Sequence, residues 1–351
     1  MSLFMDIEKR LGNFRLKVQL DVGNEIVSLL GASGCGKSIT LKCIAGIERP
    51  DKGKIVVDGI PLFDSERGIN LTPQQRRAGL MFQSYALFPN MTVLQNIRTG
   101  AKRERDPARQ EENVKAFMNS FHLTELANHY PAQLSGGQQQ RTALARILVS
   151  SPHILLLDEP FSALDSHLRF RLEQQVREVL RSFGKTVVLV SHDRDEVFRL
   201  SDQIAVMNQG MVETFGPKET VFSNPATPTA ALLTGCKNIS PIEKIDDFHV
   251  RALDWDLVLA TDTLVGSAQY VGFRMHDICS GSGPNAFTCQ VVEEIKNPFS
   301  YTIMLKPVGS QGIPFGWEID QQTWHKLRAN QVEIHLPPGT TVLLRENIAS
   351  E

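Results

Sequence analysis

The sequence predicts an α/β domain built on a mainly parallel sheet, followed by a small all-β domain. Over residues 1–235, short apolar runs ending in polar residues alternate with segments of helical spacing. Buried parallel strands and their crossover helices read this way. Within that region the stretch from about 93 to 152 is more helical and predicts a helical subdomain. A Pro-, Thr- and Ala-rich connection follows at 222–238, and beyond it the pieces are short, strand-like and separated by glycine and proline turns. Residues 236–351 are therefore expected to form a small β domain, a barrel of the oligobinding type.

Composition narrows the function classes. At 42% hydrophobic and 22% charged residues, the chain reads as an ordinary soluble globular protein. The formal net charge of −2 provides no basic field, so nucleic acid is not expected as a partner. Five cysteines at irregular spacing make no disulfide or zinc framework, which fits a reducing cytoplasm. The opening "MSLFMDIEKRLGNF" lacks signal-peptide anatomy, and no apolar run approaches the roughly 18 residues of a membrane span. Any membrane role is expected to run through a partner.

The first carrier of chemistry is "GASGCGKS", residues 31–38, between the strand-like "EIVSLLG" and the helix-like "ITLKCIAGI". Gly31, Gly36, Lys37 and Ser38 meet the pattern G-x-x-x-x-G-K-[ST], with Ala32, Ser33, Gly34 and Cys35 inside the loop and Ile39 opening the helix. Strand, glycine loop and helix are the context of a P-loop. Glycines let several backbone N–H groups point at one anion, and the helix N-terminus adds partial positive charge. Lys37 is expected on the β- and γ-phosphates and Ser38 on Mg²⁺. Cys35 is a small residue in a backbone-driven loop and carries no redox role.

The second carrier is "HILLLDEP" (153–160), whose strand delivers Asp158 and Glu159 side by side. Asp158 suits Mg²⁺ through its water shell, and Glu159 suits a general base on the attacking water. His192 ends the next strand, "KTVVLVSH", where it can hold that water in line. Gln83 follows another strand in "GLMFQSYALFPNMT" and can sense Mg²⁺ and water. A second glycine loop, "LSGGQ" with Ser135, Gly136, Gly137 and Gln138, precedes a helix that Ser135 can cap. It too is an anion site, yet the chain has no second lysine or acidic strand to accompany it. The second loop is therefore expected to serve another chain's ATP, in a head-to-tail homodimer about a two-fold axis. Two further helices are expected: 166–184, amphipathic through Leu172, Val176 and Leu180 and stopped by Gly184, and 320–329, capped by Asp320.

In this order, "GASGCGKS", Gln83, "LSGGQ", "ILLLDEP", "SALD" and "VSH" resemble the ATP-binding subunits of ABC transporters. The resemblance implies Mg²⁺-dependent ATP hydrolysis. It implies that Asp165 of "SALD" links the two sites of the dimer. It implies a groove beside Gln83 that receives a helix from integral membrane permease subunits, together with an extracytoplasmic solute-binding protein and a peripheral place on the cytoplasmic face of the cell membrane. The wording "SYALFPNMTVLQNI" resembles bacterial and archaeal importers, and "VGFRMHDI" in the β domain resembles the importers of oxyanions, sugars, iron or polyamines. "LGNFRLKVQLDVGNEIVSLLGASGCGKS" and "GINLTPQQRRAGLMFQ" look most like molybdate importers; sulfate, ferric iron and polyamine are the alternative solutes. The family stacks an aromatic ring on adenine, and the ring available here is Phe14, which is an equal candidate for the core. A soluble ABC-type ATPase acting on nucleic acid or ribosomes is the rival of another class. It would carry coiled-coil insertions, zinc-binding cysteines or a tandem ATPase domain, and this sequence has one P-loop, no sustained heptads and no paired CxxC. In the β domain, Ser280, Ser282, Lys296, Asn297 and Ser300 provide polar groups in strand-and-turn contexts. Solute sensing and passive dimerisation both remain open readings of that domain.

Overall fold

The computed structural model describes residues 2–162 and 166–346. The chain forms two compact units, Met1–Lys218 and Glu219–Glu351. The first unit runs β1 (Leu3–Leu11), β2 (Phe14–Val22), β3 (Ile26–Leu30), α1 (Lys37–Ala45), β4 (Lys52–Val57), β5 (Ile60–Asp64), β6 (Ile69–Asn70), α2 (Pro73–Arg76) and β7 (Ala78–Met81). It continues α3 (Val93–Ala101), α4 (Pro107–Ser120), α5 (Gly136–Leu148), β8 (Ile154–Asp158), α6 (Ser166–Phe183), β9 (Val187–Ser191), α7 (Arg194–Leu200), β10 (Gln203–Asn208) and β11 (Met211–Pro217).

These eleven strands make one sheet, ordered β6-β5-β4-β1-β2-β11-β10-β3-β9-β8-β7. The sheet divides by sense. The strands β10, β3, β9, β8 and β7 run parallel, whereas β1, β2, β4, β5 and β6 are joined antiparallel. The expected parallel sheet is thus five of the eleven strands of this sheet. The hydrophobic period explains the difference. Every residue of β3 and β9 is buried, as helix-covered strands require. In β2, buried and exposed residues alternate from Leu16 onward, and the Gly12–Asn13 turn, with Gly12 at φ 60°, is too short for anything but an antiparallel return.

Alternation also sorts the two faces of the parallel half. Leu155, Leu157, Val187 and Leu189 share a core with Ala143, Leu144, Val176 and Leu180 of α5 and α6. Ile154, Leu156, Val188 and Val190 share another with Leu41, Cys43 and Ile44 of α1. The helical stretch is present as α3, α4 and α5, and its charge-rich run forms α4, which buries Val114 and Met118 and leaves the rest at or near the surface.

Behind the phosphate loop, α1 ends at Gly46 in the left-handed region at φ 82°. Arg76, 1% exposed, closes this end. Its Nη1 donates to the carbonyls of Cys43 (2.6 Å) and Ile44 (3.0 Å), Nε to Leu71 (2.9 Å), and Nη2 to Asn70 Oδ1 (2.9 Å). A cation at a helix C-terminus opposes the negative end of the dipole and satisfies otherwise orphaned carbonyls.

The second unit carries α9 (Pro228–Leu233) after α8 (Lys218–Ser223), which spans the division. Its strands are β12 (Asn238–Lys244), β13 (His249–Ala252), β14 (Leu257–Ala260), β15 (Tyr270–Phe273), β16 (Cys279–Ser280), β17 (Ala286–Lys296), β18 (Ser300–Pro307), β19 (Phe315–Asp320), β20 (Gln331–His335) and β21 (Val342–Leu344). The helix α10 (Gln321–Leu327) follows β19, with Asp320 Oδ1 accepting the Thr323 N–H at 2.9 Å. The division falls after Lys218 rather than near 235 because residues 222–236 are bonded into the β unit. Arg274 donates to the Phe222 carbonyl, Arg345 N–H donates to the Ala226 carbonyl, and Cys236 is buried with Val342 and Leu344.

The strand pairing does not confirm the expected barrel. Among the described residues there are two five-stranded antiparallel sheets, β14-β13-β12-β15-β21 and β16-β20-β17-β18-β19. They share one core containing Val250, Leu259, Phe273, Ile303, Trp317 and Ile334. Asn238 pins one sheet to the other: its Nδ2 donates to the Gly316 carbonyl (2.8 Å) and its Oδ1 accepts the Gly316 N–H (2.9 Å). Alternating strands satisfy a barrel and a pair of facing sheets equally well, so the sequence pattern does not separate them.

Replacing Arg76 by Met leaves the α1 carbonyls without their donor inside the protein. The expected loss is about 2–4 kcal/mol, read as a lower denaturation midpoint for the first unit at unchanged slope. A shift within about 0.5 kcal/mol, the range of an ordinary surface change, would refute this account of α1.

Candidate active site

The site begins where β3 ends. Gly36, the N-cap of α1, sits at φ 109° and Gly34 at φ 81°, conformations that glycine reaches without a Cβ penalty. A Cβ at Gly36 would lie 2.6 Å from Leu16 Cδ1 and 3.2 Å from Phe14 Cζ. The loop therefore packs on β2 as well as curling on itself. The first N–H groups of α1 have no intrahelical acceptor and face the loop. Lys37 is buried, and its Nζ donates to the carbonyls of Gly31 (2.7 Å) and Ala32 (2.9 Å), with Cys35 Sγ at 3.8 Å. Its ammonium thus braces the loop from within.

The parallel neighbours bring the other groups to the same edge. Leu30 pairs with Ser191, Asp158 with Val190, and Met81 with Leu157. The residues that follow these strand ends are the phosphate loop, His192, Glu159 and Gln83. Ser38 Oγ donates to Asp158 Oδ1 at 2.9 Å. Gln83 Nε2 donates to Glu159 Oε2 at 3.4 Å, and His192 Nδ1 lies 3.2 Å from Glu159 Oε1. Glu159 is therefore gripped from both sides. Burial raises the Asp158 carboxyl above its ordinary range; the Ser38 bond opposes this and the Glu159 charge adds to it. A divalent cation between Ser38 and Asp158 would relieve that penalty. The donors are hard oxygens: a hydroxyl, a carboxylate and the Gln83 amide oxygen. They suit Mg²⁺, which takes one or two protein oxygens and leaves the rest of its shell to water and phosphate. Among the described residues there is no cluster of three or more His, Cys, Asp or Glu side chains that would instead form an all-protein metal cage.

Sequence reasoning missed the residues that hold these groups in place. Glu159 itself adopts φ 46°, a left-handed conformation uncommon for a glutamate. Its N–H still donates to the Val190 carbonyl at 3.0 Å. The next carbonyl, Pro160, receives both Gln140 Nε2 of α5 (3.2 Å) and the Tyr85 hydroxyl (3.3 Å). In the Gln83 loop, Tyr85 and Ala86 are left-handed at φ 59° and 45°. The Arg146 guanidinium donates to both of their carbonyls, at 3.0 and 2.7 Å. Asn96, fully buried, exchanges hydrogen bonds with Phe88 N–H and with the carbonyls of Phe88, Met91 and Thr92. Nothing in the sequence distinguishes Asn96, Gln140 or Arg146 from ordinary helix residues, because their partners are backbone atoms of loops whose shape is not legible in residue type.

Ser135 caps α5 as expected: its N–H donates to Gln138 Oε1 (2.8 Å) and its Oγ accepts the Gln138 N–H (3.4 Å). Gly137 is buried, and a Cβ there would meet Leu172 Cδ1 of α6 at 2.7 Å. Ser135 is exposed. Asp165 lies outside the described residues. Phe14 is half-buried and packs on the core of α1 with its ring against Gly36 and Gly210. In the second unit, Asn297 Nδ2 donates to Ser300 Oγ (3.4 Å) and Thr302 Oγ1 (3.0 Å), and Ser300 Oγ donates to Glu318 Oε1 (3.1 Å). Ser280 lies on the edge strand β16, and these polar groups do not converge with it.

The fold and this edge define a P-loop ATPase. A family model described as ABC transporter matches residues 15–162. The chain is 42% identical over 237 residues to the spermidine/putrescine import ATP-binding protein PotA of Bacillus cereus, covering 66% of this chain and 71% of that one. It is 44% identical over 216 residues to the putrescine transport ATP-binding protein PotG of Escherichia coli K12, covering 61% and 56%. Among solved structures, a dimeric ATP-binding cassette in a post-hydrolysis state with ADP and Pi superposes with a TM-score of 0.53 at 31% identity, covering 62% of this chain and 99% of that one. The protein cbiO1 of Clostridium perfringens, part of the ABC transporter complex cbiONQ, gives 0.56 at 27%, covering 63% and 90%. The chain belongs to the ABC transporter ATP-binding family, and its reaction is ATP hydrolysis. The molybdate reading of the sequence has no counterpart in these relatives, whose names carry polyamines. Among the described residues no helix is long and apolar enough to cross a membrane.

Proposed function

We propose that this chain powers a solute importer by closing as a head-to-tail homodimer on Mg²⁺–ATP, and that the solute is a polyamine. The observation that carries the hydrolytic part is the grip on Glu159, with Gln83 at 3.4 Å on one side and His192 at 3.2 Å on the other. A carboxylate held so beside the Ser38–Asp158 pair is placed to take a proton from a water attacking the γ-phosphate. His192 holds that water in line, and Gln83 reports its presence to the loop that follows. Residues 31–39 bind the phosphates, Lys37 exchanging the Gly31 and Ala32 carbonyls for phosphate oxygens. Ser38, Asp158 and Gln83 supply the protein's share of the Mg²⁺ shell. The half-buried Phe14 ring beside Gly36 forms a wall for adenine.

In the dimer, Ser135, Gly136, Gly137 and Gln138 meet the nucleotide of the other chain, and Asp165 connects the two sites. The exposed Ser135 at a helix N-terminus favours this reading, as does the dimeric cassette it resembles. The permease subunits dock by the Gln83 loop at the cytoplasmic face of the membrane, with a solute-binding protein on the other side. The second unit serves regulation or dimerisation. Polyamine is preferred over molybdate because PotA and PotG, at 42% and 44% identity, carry that solute in their names.

Glu159→Gln should bind ATP, accumulate the closed dimer by size-exclusion chromatography, and turn over about 10²–10⁴-fold more slowly. Wild-type turnover in that variant removes Glu159 from the role of base.

Ser135→Arg should block hydrolysis and leave ATP binding to the isolated monomer nearly unchanged. Loss of binding to the monomer would assign the loop to the chain's own nucleotide.

Deleting this chain from its source cell should abolish uptake of radiolabelled spermidine or putrescine and leave molybdate accumulation intact. Loss of molybdate accumulation with normal polyamine uptake would overturn the solute assignment while leaving the ATPase untouched.

A further inference from the structure

The second unit holds a cavity of about 590 Å³, within the size range of small-molecule sites. One wall is the 262–268 loop between β14 and β15, and another is the 339–343 segment that enters β21. Both walls are fixed by their own bonds. The Thr261 hydroxyl donates to the Thr263 carbonyl at 2.8 Å, and Val265, 1% exposed, donates its N–H to the Asp247 carbonyl at 2.9 Å. The Gln269 N–H donates to the Leu344 carbonyl at 2.9 Å and ties the loop to β21. The hydroxyls of Thr340 and Thr341 donate to the carbonyls of Pro337 and Pro338, both at 2.7 Å. Walls already held in this way cost little further ordering when a ligand enters.

Four charged side chains line the cavity, Arg274, Arg345, Asp262 and Asp277, two of each sign. Two of them are engaged. Arg274 donates to the Phe222 carbonyl, and Asp277 takes the Arg274 N–H at 3.3 Å and lies 3.6 Å from His276 Nε2. Asp262 and Arg345 are exposed, and among the described residues neither side chain has an ion-pair or hydrogen-bond partner, nor do they pair with each other. Each is placed against a glycine turn. A Cβ at Gly339 would lie 3.2 Å from Asp262 Oδ2, and one at Gly266 would lie 3.8 Å from Arg345 Nη2. The Arg345 backbone is fixed by its N–H on the Ala226 carbonyl at 3.0 Å. Opposite charges that share a cavity without pairing are matched together only by a ligand that carries both. The balance of two and two provides no net field for a polycation or an oxyanion, so neither a polyamine nor molybdate is its match. Leu264, Val265 and Val342 give the lining an apolar part that suits aliphatic side chains. We propose that this cavity binds a zwitterion of short-peptide size, its carboxylate on the Arg345 guanidinium and its ammonium on the Asp262 carboxylate. A guanidinium fork fits a carboxylate, and both contacts are charge-assisted hydrogen bonds. The inference goes beyond the ATPase reading and does not depend on it.

Isothermal titration calorimetry of the full chain with trialanine should give saturable heat. N-acetyl-trialanine lacks the ammonium and trialanine amide lacks the carboxylate. Each blocked form should bind at least about tenfold more weakly, because each leaves one charge of the cavity unmatched. Asp262→Asn should weaken trialanine to the level of its N-acetyl form and leave the N-acetyl form's own affinity unchanged. Arg345→Gln should do the same for trialanine and its amide. Both side chains are exposed and unpaired, so both variants should melt as the wild type does, and the blocked peptides test the wild type without any variant. No saturable heat with trialanine, equal affinity for a blocked form, or tighter binding of spermidine or molybdate overturns the proposal. ATP turnover is read separately: normal turnover in a chain that does not bind trialanine removes this inference alone.

Discussion

Everything at the hydrolytic edge depends on strands that point the same way. The strands β3, β9, β8 and β7 are neighbours and parallel, so their C-terminal ends emerge together. Each end is followed within two residues by one of the site's groups: the phosphate loop, His192, Glu159 and Gln83. No long side chain has to bridge a gap. The apolar, fully buried interiors of β3 and β9 are what force this alignment, since strands covered on both faces need crossover helices and crossovers give parallel pairs. Packing in the core therefore sets the spacing of the chemistry.

Alignment alone leaves the loops after the strands free to wander, and a second set of contacts restrains them. The Pro160 carbonyl accepts from Gln140 and Tyr85, so the Glu159 turn, the helix behind Ser135 and the Gln83 loop meet at one atom. Arg146 holds the left-handed Tyr85 and Ala86 by their carbonyls. Left-handed backbone at a non-glycine residue costs about 1–2 kcal/mol, and here it occurs at Glu159, Tyr85 and Ala86. These are the positions where the groups must be aimed, and the surrounding hydrogen bonds offset the strain. Such an arrangement couples the three segments: moving the Gln83 loop pulls on the same carbonyl that positions Glu159.

The phosphate loop was legible in the sequence because its chemistry is backbone chemistry, and glycine positions declare backbone shape. That Asp158, Glu159, His192 and Gln83 would lie at one edge was legible because each lies at, or within two residues of, the end of a buried strand. Ser135 and Asp320 were legible because a cap needs a small polar side chain at a fixed offset, and both make the bonds expected. The antiparallel half of the sheet was signalled by the alternation of β2, yet it is overshadowed by the helical periodicity that follows. The restraining set of Asn96, Gln140 and Arg146 was not legible, since long-range bonds to loop carbonyls leave no local pattern. Nor was the pairing of two open sheets in the second unit, because period-two alternation fits a closed barrel as well.

The solute was the least legible property, and the reason is spatial. The wording that resembles molybdate importers lies at residues 11–38 and 68–83. Those residues form β2, β3, the phosphate loop, β6, α2 and β7. Leu16, Val18 and Leu20 are core, Arg76 closes α1, and the loop is committed to phosphate. All of them answer to the sheet and to ATP, which every importer of this kind shares, so similarity there reports kinship of the engine rather than of the cargo. Residues that discriminate solutes must make different contacts with different solutes, whereas the stretches named above pack the sheet and line the phosphate loop.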